Sequence, residues 1–309
     1  MEQPFISIVS PIYRAENIAS RLVEAIEQAV VKITPDFEII LVDDGSPDNS
    51  WAIMQEIARN NSKVKAVKLS RNFGQHYAIT AGLDEAKGEW VVVMDCDLQD
   101  NPEEITNMLA TAKENDAKII LGQRIERNDS FSKVLFSKFF YKSLSYLSGA
   151  EWDPTVANFG LYHRSVVNAI GQMREPIRFF PAMVKWVGFK SVKMPVAHQA
   201  RDEGVSTYSL KRRLKLAMDI ILANSDKPLR IIVKFGFLVS FIAAFIGVLY
   251  IIKYLTGQTT VLGFTSLMIS IWFVGGMIFM LLGIIGLYIG KIFEAAKGRP
   301  IYIVEERIN

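Results

Sequence analysis

The sequence predicts an α/β protein: a doubly wound, mostly parallel sheet, followed by interfacial helices and a two-helix transmembrane hairpin. Three observations carry this. Short apolar runs alternate with segments of helical periodicity between Phe5 and Leu121. Polar clusters gather where those runs end. Two long apolar stretches, 231–252 and 265–289, follow Arg230.

Residues 5–10 form a short β-rich run that stops at Pro11. Ile18, Leu22, Ala25, Ile26 and Ala29 then recur at helical spacing. Residues 37–42 are the second apolar run, ending at Asp43, Asp44, Gly45 and Ser46, and a helix through Trp51, Met54, Ile57 and Ala58 follows. The third strand, 64–69, ends at Arg71, Asn72, Phe73 and Gly74; residues 77–86 read as a short helix. The fourth strand, 90–94, runs straight into Asp95, Cys96 and Asp97, with Gln99 close behind. A run so short and so rich in valine fits a strand buried on both faces. Asn101 suits a helix N-cap and Pro102 the first helical turn, and residues 117–121 make a fifth strand. Strand–helix alternation of this kind calls for a parallel sheet with right-handed crossovers.

Ligands of such sheets bind beyond the carboxyl ends of the strands. Pro11 and Tyr13, Asp43 and Asp44, Arg71 and Asn72, and Asp95 and Asp97 all fall there. Side chains alternate along an extended chain, so Asp95 and Asp97 point the same way. Two carboxylates ending a buried strand call for a cation between them, and hard oxygen ligands suit Mg2+ or Mn2+. No glycine-rich loop follows the first strand, which weighs against a dinucleotide-binding Rossmann site and against a P-loop. A nucleotide held through a metal and a few carboxylates fits this edge better.

At 309 residues the chain has room for two units. Hydrophobic residues make up 50%, with the excess after Arg230, and the mean hydropathy of +0.21 is high for a soluble protein. A net charge of +3 gives no reason to expect nucleic acid as a partner. The single cysteine rules out an internal disulfide framework and fits a reducing compartment. His76, His163 and His198 are too dispersed for a zinc site. No signal peptide is expected, since the first residues reach a strand pattern at once.

The stretch 231–252 is apolar except for Lys234, and 265–289 carries no charge. Each exceeds the roughly 20 residues that span a hydrocarbon core. Lys227, Arg230 and Lys234 flank the start of this hairpin, Lys291, Lys297 and Arg299 its end, and the turn holds only Lys253. The positive-inside rule then places both ends and the catalytic domain in the cytoplasm, in a multi-pass inner-membrane protein. Residues 131–147 and 209–222 mix lysine and arginine with apolar residues, as interfacial amphipathic helices do. The expected organisation is a catalytic domain over 1–208, an interfacial juxtamembrane helix over 209–230, the hairpin over 231–289 and a cytoplasmic tail over 290–309. Alternation around Ile301 and Ile303 predicts a strand in that tail, with no evident partner of its own. Pairing with another subunit is the expectation, and Gly275, Gly276, Gly283 and Gly286, which let helices approach closely, also suit a homo-oligomer.

The ordered set Ser10-Pro11-Ile12-Tyr13, Val42-Asp43-Asp44-Gly45-Ser46, Arg71-Asn72-Phe73-Gly74-Gln75, Ala81-Gly82-Leu83 and Asp95-Cys96-Asp97-Leu98-Gln99-Asp100 resembles the family 2 glycosyltransferases of GT-A fold. With Arg201 to Tyr208, Lys227-Pro228-Leu229-Arg230, Gly286-Leu287-Tyr288-Ile289-Gly290 and Arg299-Pro300-Ile301-Tyr302, the resemblance narrows to the bacterial polyprenyl-phosphate glycosyltransferases and dolichol-phosphate mannose synthase. It implies a nucleotide-diphosphate sugar donor, a UDP-sugar first, and a polyprenyl phosphate acceptor such as undecaprenyl phosphate. The product is then a lipid-linked sugar for cell-envelope glycan, including lipopolysaccharide. Asp97 is the first choice as metal ligand, with Asp95 and Gln99 as partners. By resemblance Asp43 and Asp44 hold base and ribose, and Pro11 and Tyr13 shape that pocket, with Arg71 beside it. Arg124 is a candidate for the diphosphate or the sugar. Arg201 is the candidate for the acceptor phosphate, being planar and suited to bidentate contacts, followed by Ser206 and Tyr208 and assisted by His198.

Two departures stand out. Thr207 replaces a lysine frequent in the family's acceptor motif, leaving Arg212 or Arg213 to supply that charge. Asn158, Phe159 and Gly160 stand where the family often has Asp-Phe-Arg, so a carboxylate base is missing. A phosphate monoester, with a second pKa of about 6, is mostly dianionic at neutral pH and needs no base to attack with inversion. Asp153 is an alternative contact to the donor sugar, and Gly160 in place of arginine predicts a different donor pocket. The competing readings are a catalytically silent nucleotide-sugar or lipid-binding membrane protein, a processive polysaccharide synthase and a nucleotidyltransferase. The synthase usually carries a Gln-x-x-Arg-Trp segment and more spans, and the nucleotidyltransferase a basic glycine-rich loop; neither feature is present.

Overall fold

The computed structural model describes residues 4–124, 145–147, 153, 155–196, 221, 225–256 and 263–309. The predicted alternation is found as β1 (Ile6–Ile12), α1 (Ala19–Val30), β2 (Phe37–Asp43), α2 (Ser50–Asn60), β3 (Val64–Leu69), α3 (Gln75–Glu85), β4 (Trp90–Val93), α4 (Glu104–Glu114) and β5 (Ile119–Arg124). Asn101 lies a turn ahead of α4, its side-chain oxygen accepting the Glu103 N–H at 3.1 Å. Elements the sequence did not suggest follow: β6 (Val156–His163), α5 (Arg164–Gln172), α6 (Phe180–Trp186) and β7 (Ser191–Val196). The chain continues through α7 (Lys227–Leu255) and α8 (Phe264–Ala296) to β8 (Val304–Ile308).

All eight strands form one sheet in the order β7-β5-β6-β4-β1-β2-β3-β8. The ladders β1–β2, β1–β4, β2–β3 and β5–β7 are parallel. Those of β6 and β8 are antiparallel, which makes a mixed, mostly parallel sheet. Every residue of β1 and β2 is buried. Ile6, Ile8, Ile39 and Leu41 join Leu22, Ile26, Met54 and Met108 in one apolar layer. Val9, Ile40, Val42, Val91 and Val93 join Ile79, Val166 and Phe180 in the other. Helices on both faces are why these strands read as unbroken apolar runs rather than alternating ones.

Two expectations about the C-terminal third change. The tail strand does not await another subunit: β8 pairs antiparallel with β3 of its own chain. Side chains fix it there, since Glu306 accepts from Trp51 Nε1 at 3.2 Å and Gln55 Nε2 at 2.9 Å. Tyr302 donates to Asp84 at 2.6 Å, which also receives the Arg174 fork at 2.8 and 2.9 Å. Pairing of the tail strand with another subunit is therefore replaced by pairing within the chain. Of the two predicted spans, one helix among the described residues, Ser270–Ala296, is long and apolar enough to cross a membrane. The α7 sequence is more interrupted, carrying Lys227, Arg230, Lys234 and Lys253. Both helices nevertheless expose large apolar side chains, Phe237 and Phe241 on α7 and Trp272 and Phe279 on α8. The predicted interfacial segments lie almost wholly outside the described residues.

The chain divides into two compact units. One comprises Met1–Tyr141, Trp152–Tyr208 and Arg299–Asn309, the other Lys142–Glu151 and Ser209–Gly298.

Candidate active site at the carboxyl edge of the sheet

Because β4, β1, β2 and β3 are parallel neighbours, their carboxyl ends bring the sequence's polar clusters side by side. Pairing persists to the rim, where Met94 N–H donates to Val9 O at 3.1 Å and Asp44 N–H to Ile12 O at 2.9 Å. Pro11 is buried and Tyr13 exposed at the end of β1. Arg14, with φ of 55°, turns the chain away there in the left-handed region. Gly45, with φ of 64°, turns it after β2; a Cβ there would lie 2.6 Å from both Arg71 C and Asn72 N. Only glycine lets the loops after β2 and β3 pass so closely.

Asp43 and Asp44 are both buried. Asp43 Oδ1 accepts the Ser46 N–H at 3.1 Å, whereas buried Oδ2 has no partner. Burial raises the Asp43 pKa against the opposing Ser46 hydrogen bonds. Asp44 accepts the Phe73 N–H at 2.7 Å and the Gly74 N–H at 2.9 Å, tying the start of α3 to the end of β2. Burial still pushes its pKa up to about 6.

Asp95 is oriented by two neutral amides. Gln75, the first residue of α3, donates through Nε2 to Oδ1 at 2.7 Å, and Asn158 Nδ2 reaches Oδ2 at 3.5 Å. The β4–β6 register, with Val93 opposite Gly160, is what sets Asn158 beside Asp95. Asp97 Oδ1 accepts the Gln99 N–H at 3.2 Å across Leu98, a non-glycine residue at φ of 55°. Strain of that kind concentrates at functional turns. Between the carboxylates, burial pushes the Cys96 thiol up to about 12, which disfavours its thiolate.

No group of three His, Cys, Asp or Glu residues suited to a metal occurs among the described residues. A Mg2+-type ion needs no such cage, since one or two carboxylates and the substrate's phosphates suffice. Asp95 and Asp97 supply hard oxygens of that kind.

The remaining expected site residues are spread more widely. Arg71 is exposed, its guanidinium 3.9 Å from the Phe73 ring centroid. Arg124 ends β5 on the same edge. Asp153 is engaged by Lys193 and by Thr155, which donates through N–H at 2.9 Å and Oγ1 at 2.6 Å. Burial works against its ionisation, but these contacts prevail and hold its pKa at about 2. His198, Arg201, Ser206, Tyr208, Arg212 and Arg213 lie outside the described residues. Gly160 sits inside β6 rather than in a pocket, for a Cβ there would lie 2.6 Å from the Tyr162 hydroxyl oxygen.

Sequence reasoning missed a second cluster on α3. Arg178 is 3% exposed; its Nε donates to Thr80 Oγ1 at 2.8 Å and Nη1 to Met173 O at 2.5 Å. Its Nη2 is buried without a partner, and so is His76 Nδ1. The His76 ring meets Phe179 edge-on at 4.9 Å. Burial, with the Arg178 charge adding to it, pushes the His76 pKa down to about 4. No spacing or motif in the sequence marks this pair.

Comparison with known proteins gives consistent matches. The family described as Glycosyl transferase family 2 matches residues 7–171. An uncharacterized glycosyltransferase, YkcC of Bacillus subtilis, is 35% identical over 303 residues, covering 97% of this chain and 93% of its own. The undecaprenyl-phosphate 4-deoxy-4-formamido-L-arabinose transferase of Proteus mirabilis is 31% identical over 308 residues, covering 98% of this chain and 94% of its own. Among solved structures, Staphylococcus aureus TarS with UDP-GlcNAc superposes with a TM-score of 0.49 at 19% identity, covering 71% of this chain and 66% of that one.

Proposed function

The chain belongs to glycosyl transferase family 2, and from that membership we propose that it transfers a sugar, with inversion, from a UDP-sugar to a polyprenyl phosphate at the cytoplasmic face of a bacterial inner membrane. Undecaprenyl phosphate is the acceptor we favour, and a lipid-linked sugar for envelope glycan the product. The observation that carries the reading is the single sheet edge where buried Asp43 and Asp44 stand beside Asp95 and Asp97. The acceptor class is supported by the names of full-length relatives that act on undecaprenyl phosphate.

In this reading the unpartnered Asp43 Oδ2 accepts from the base and Asp44 from the ribose, between Pro11 and Tyr13. Arg71 and Arg124 face the diphosphate, and Asn158 and Asp153 the sugar. A divalent cation held by Asp95, Asp97 and Gln99 would neutralise charge on the departing diphosphate. Arg201, with Ser206, Tyr208, His198 and Arg212 or Arg213, holds the acceptor phosphate. A phosphate oxygen forms the bond to the anomeric carbon as the bond to the diphosphate breaks. Asn158 cannot act as a base, and a phosphate dianion does not need one.

Two membrane crossings are part of the proposal. Residues up to Tyr208 and residues from Arg299 onward belong to the same unit, and β8 hydrogen-bonds to β3. A single crossing would strand β8 on the far side from its own sheet. The exposed phenylalanines of α7 support that helix as the second span.

Purified protein in detergent, given undecaprenyl phosphate, a panel of labelled UDP-sugars and Mg2+ or Mn2+, tests this. A lipid-linked sugar from one donor, lost in EDTA and in Asp97→Ala, is the expected result. Metal-dependent UDP binding with no transfer from any donor would favour the silent binder instead.

A further inference from the structure

We propose that Gly122 is a positioning residue of the donor-sugar pocket: it admits a bulge in β6 that aims Asn158 and Asp153. The assignment of those two residues to the sugar rests on the reading above; the bulge itself rests on register. Against β4, β6 runs evenly, from Trp90 opposite His163 to Val93 opposite Gly160. Carried two residues further, that register brings Asn158 opposite Asp95, and directly opposed side chains are about 5 Å apart at Cβ. Asn158 Nδ2 accordingly reaches Asp95 Oδ2 at 3.5 Å. Against β5 the same strand slips. Leu121 faces Gly160 but Gln123 faces Val156, so Ala157, Asn158 and Phe159 stand opposite Gly122 alone.

A slip of two residues keeps each side chain on its own face, and Ala157, Phe159 and Leu161 still enter one apolar layer. What changes is the neighbour of Asn158. In an even register Gln123 would oppose it, amide against amide. With the slip, Gln123 Nε2 donates instead to Thr155 Oγ1 at 2.9 Å, and Asn158 is left to Asp95. Thr155 in turn fixes Asp153 through its N–H and hydroxyl, at 2.9 and 2.6 Å, and Lys193 of β7 pairs with the same carboxylate. One bulge therefore sets both sugar contacts, Asn158 from within it and Asp153 from just beyond it. Bulges beside active sites re-aim side chains in this way. Glycine at 122 is what the bulge requires. A Cβ there would lie 3.0 Å from Phe159 O, 3.2 Å from Val196 Cγ2 and 3.4 Å from Phe159 Cδ1. Phe159 and Val196 are both buried in the close-packed core, so neither has space to retreat into. The strain of an added methyl group falls on the backbone of Phe159, next to Asn158.

The test uses the full chain in detergent, carrying Gly122→Ala, Asn158→Ala or both, with UDP and a panel of UDP-sugars in Mg2+ as calorimetric probes. Gly122→Ala should weaken binding of the UDP-sugar that the wild type prefers by about 3- to 10-fold and leave UDP affinity unchanged. In the Asn158→Ala background the same substitution should add little, because the two act through one contact. Additive losses, a parallel fall in UDP affinity, or no loss would overturn the proposal and leave Gly122 a packing residue only. A structure of the Gly122→Ala protein reads the positioning without any ligand: Asn158 should move away from Asp95, and an unmoved Asn158 overturns the proposal. Should Gly122→Ala fail to fold, Gln123→Leu removes the Thr155 contact without added bulk. It should cause a loss of the same kind through Asp153, and unchanged UDP-sugar affinity in that variant counts against the bulge. A displaced Asn158 in a protein whose wild type does not distinguish any UDP-sugar from UDP would sink the donor reading instead and leave the positioning intact.

Discussion

Replacing Asp44 by asparagine should stabilise the protein at neutral pH while weakening its hold on the donor. Asp44 is 3% exposed, and burial raises its pKa from 3.8 to about 6. A carboxyl with a raised folded-state pKa binds its proton more tightly when folded. Its stabilising contribution is complete below about pH 4, fades as pH rises through 6, and is absent above. A shift of about 2 units corresponds to about 3 kcal/mol between those limits. Asparagine is neutral throughout, and a single side-chain oxygen in the position of Oδ1 reaches both the Phe73 and Gly74 N–H groups, at 2.7 and 3.2 Å. The variant therefore escapes the loss. Thermal unfolding in detergent should give similar midpoints for the two proteins at pH 4. At pH 8 the Asp44→Asn protein should lead by up to about 6–12 °C, at the usual conversion for domains of this size. Equilibrium binding of UDP should fall by about tenfold in the same variant, the loss of one charge-assisted hydrogen bond. A variant that melts at or below wild type at pH 8 would refute the reasoning, for it would mean that ionised Asp44 is well solvated or well paired.

Gln75→Leu removes the 2.7 Å bond to Asp95; kcat should drop by about 10- to 100-fold with the melting temperature little changed, as steady-state kinetics and thermal unfolding would report. Gly160→Arg should not redirect donor choice but should lower stability by more than the ~1–3 kcal/mol typical of overpacking, because its Cβ alone meets the Tyr162 hydroxyl oxygen at 2.6 Å; soluble yield and melting temperature decide it. Deleting residues 299–309 strips β8 from β3 and bares a parallel-sheet edge, so size-exclusion chromatography should show aggregation rather than a clean smaller species.

The sequence revealed the strands whose environment is local. Val91 to Val93 and Ile39 to Val42 are buried on both faces, and unbroken apolar runs announce that state wherever they occur. β6 escaped because its run is broken by Asn158 and Gly160, residues placed there by the carboxyl edge and by the Tyr162 side chain. β8 was legible as a strand but its partner was not, since alternation fixes a face and not a neighbour. The acidic strand ends of the site were legible for the same local reason. The roles of Gln75 and Asn158 depended on register and helix placement, and Arg178 and His76 meet only through the packing of the segment after α5 against α3.

The closure of the sheet by β8 also sets an order of events during synthesis. Val64, where β3 begins, and Asn309, which hydrogen-bonds to its carbonyl, are 245 residues apart. At ~5–20 residues per second a ribosome needs on the order of 10 to 50 seconds to connect them. During that interval the nascent sheet has an open flank, and the hydrophobic helices α7 and α8 emerge before it can be sealed. The last strand of the catalytic unit is thus made only after the long apolar helices that precede it. A chain cut short within α7 or α8 lacks β8 and keeps that edge open.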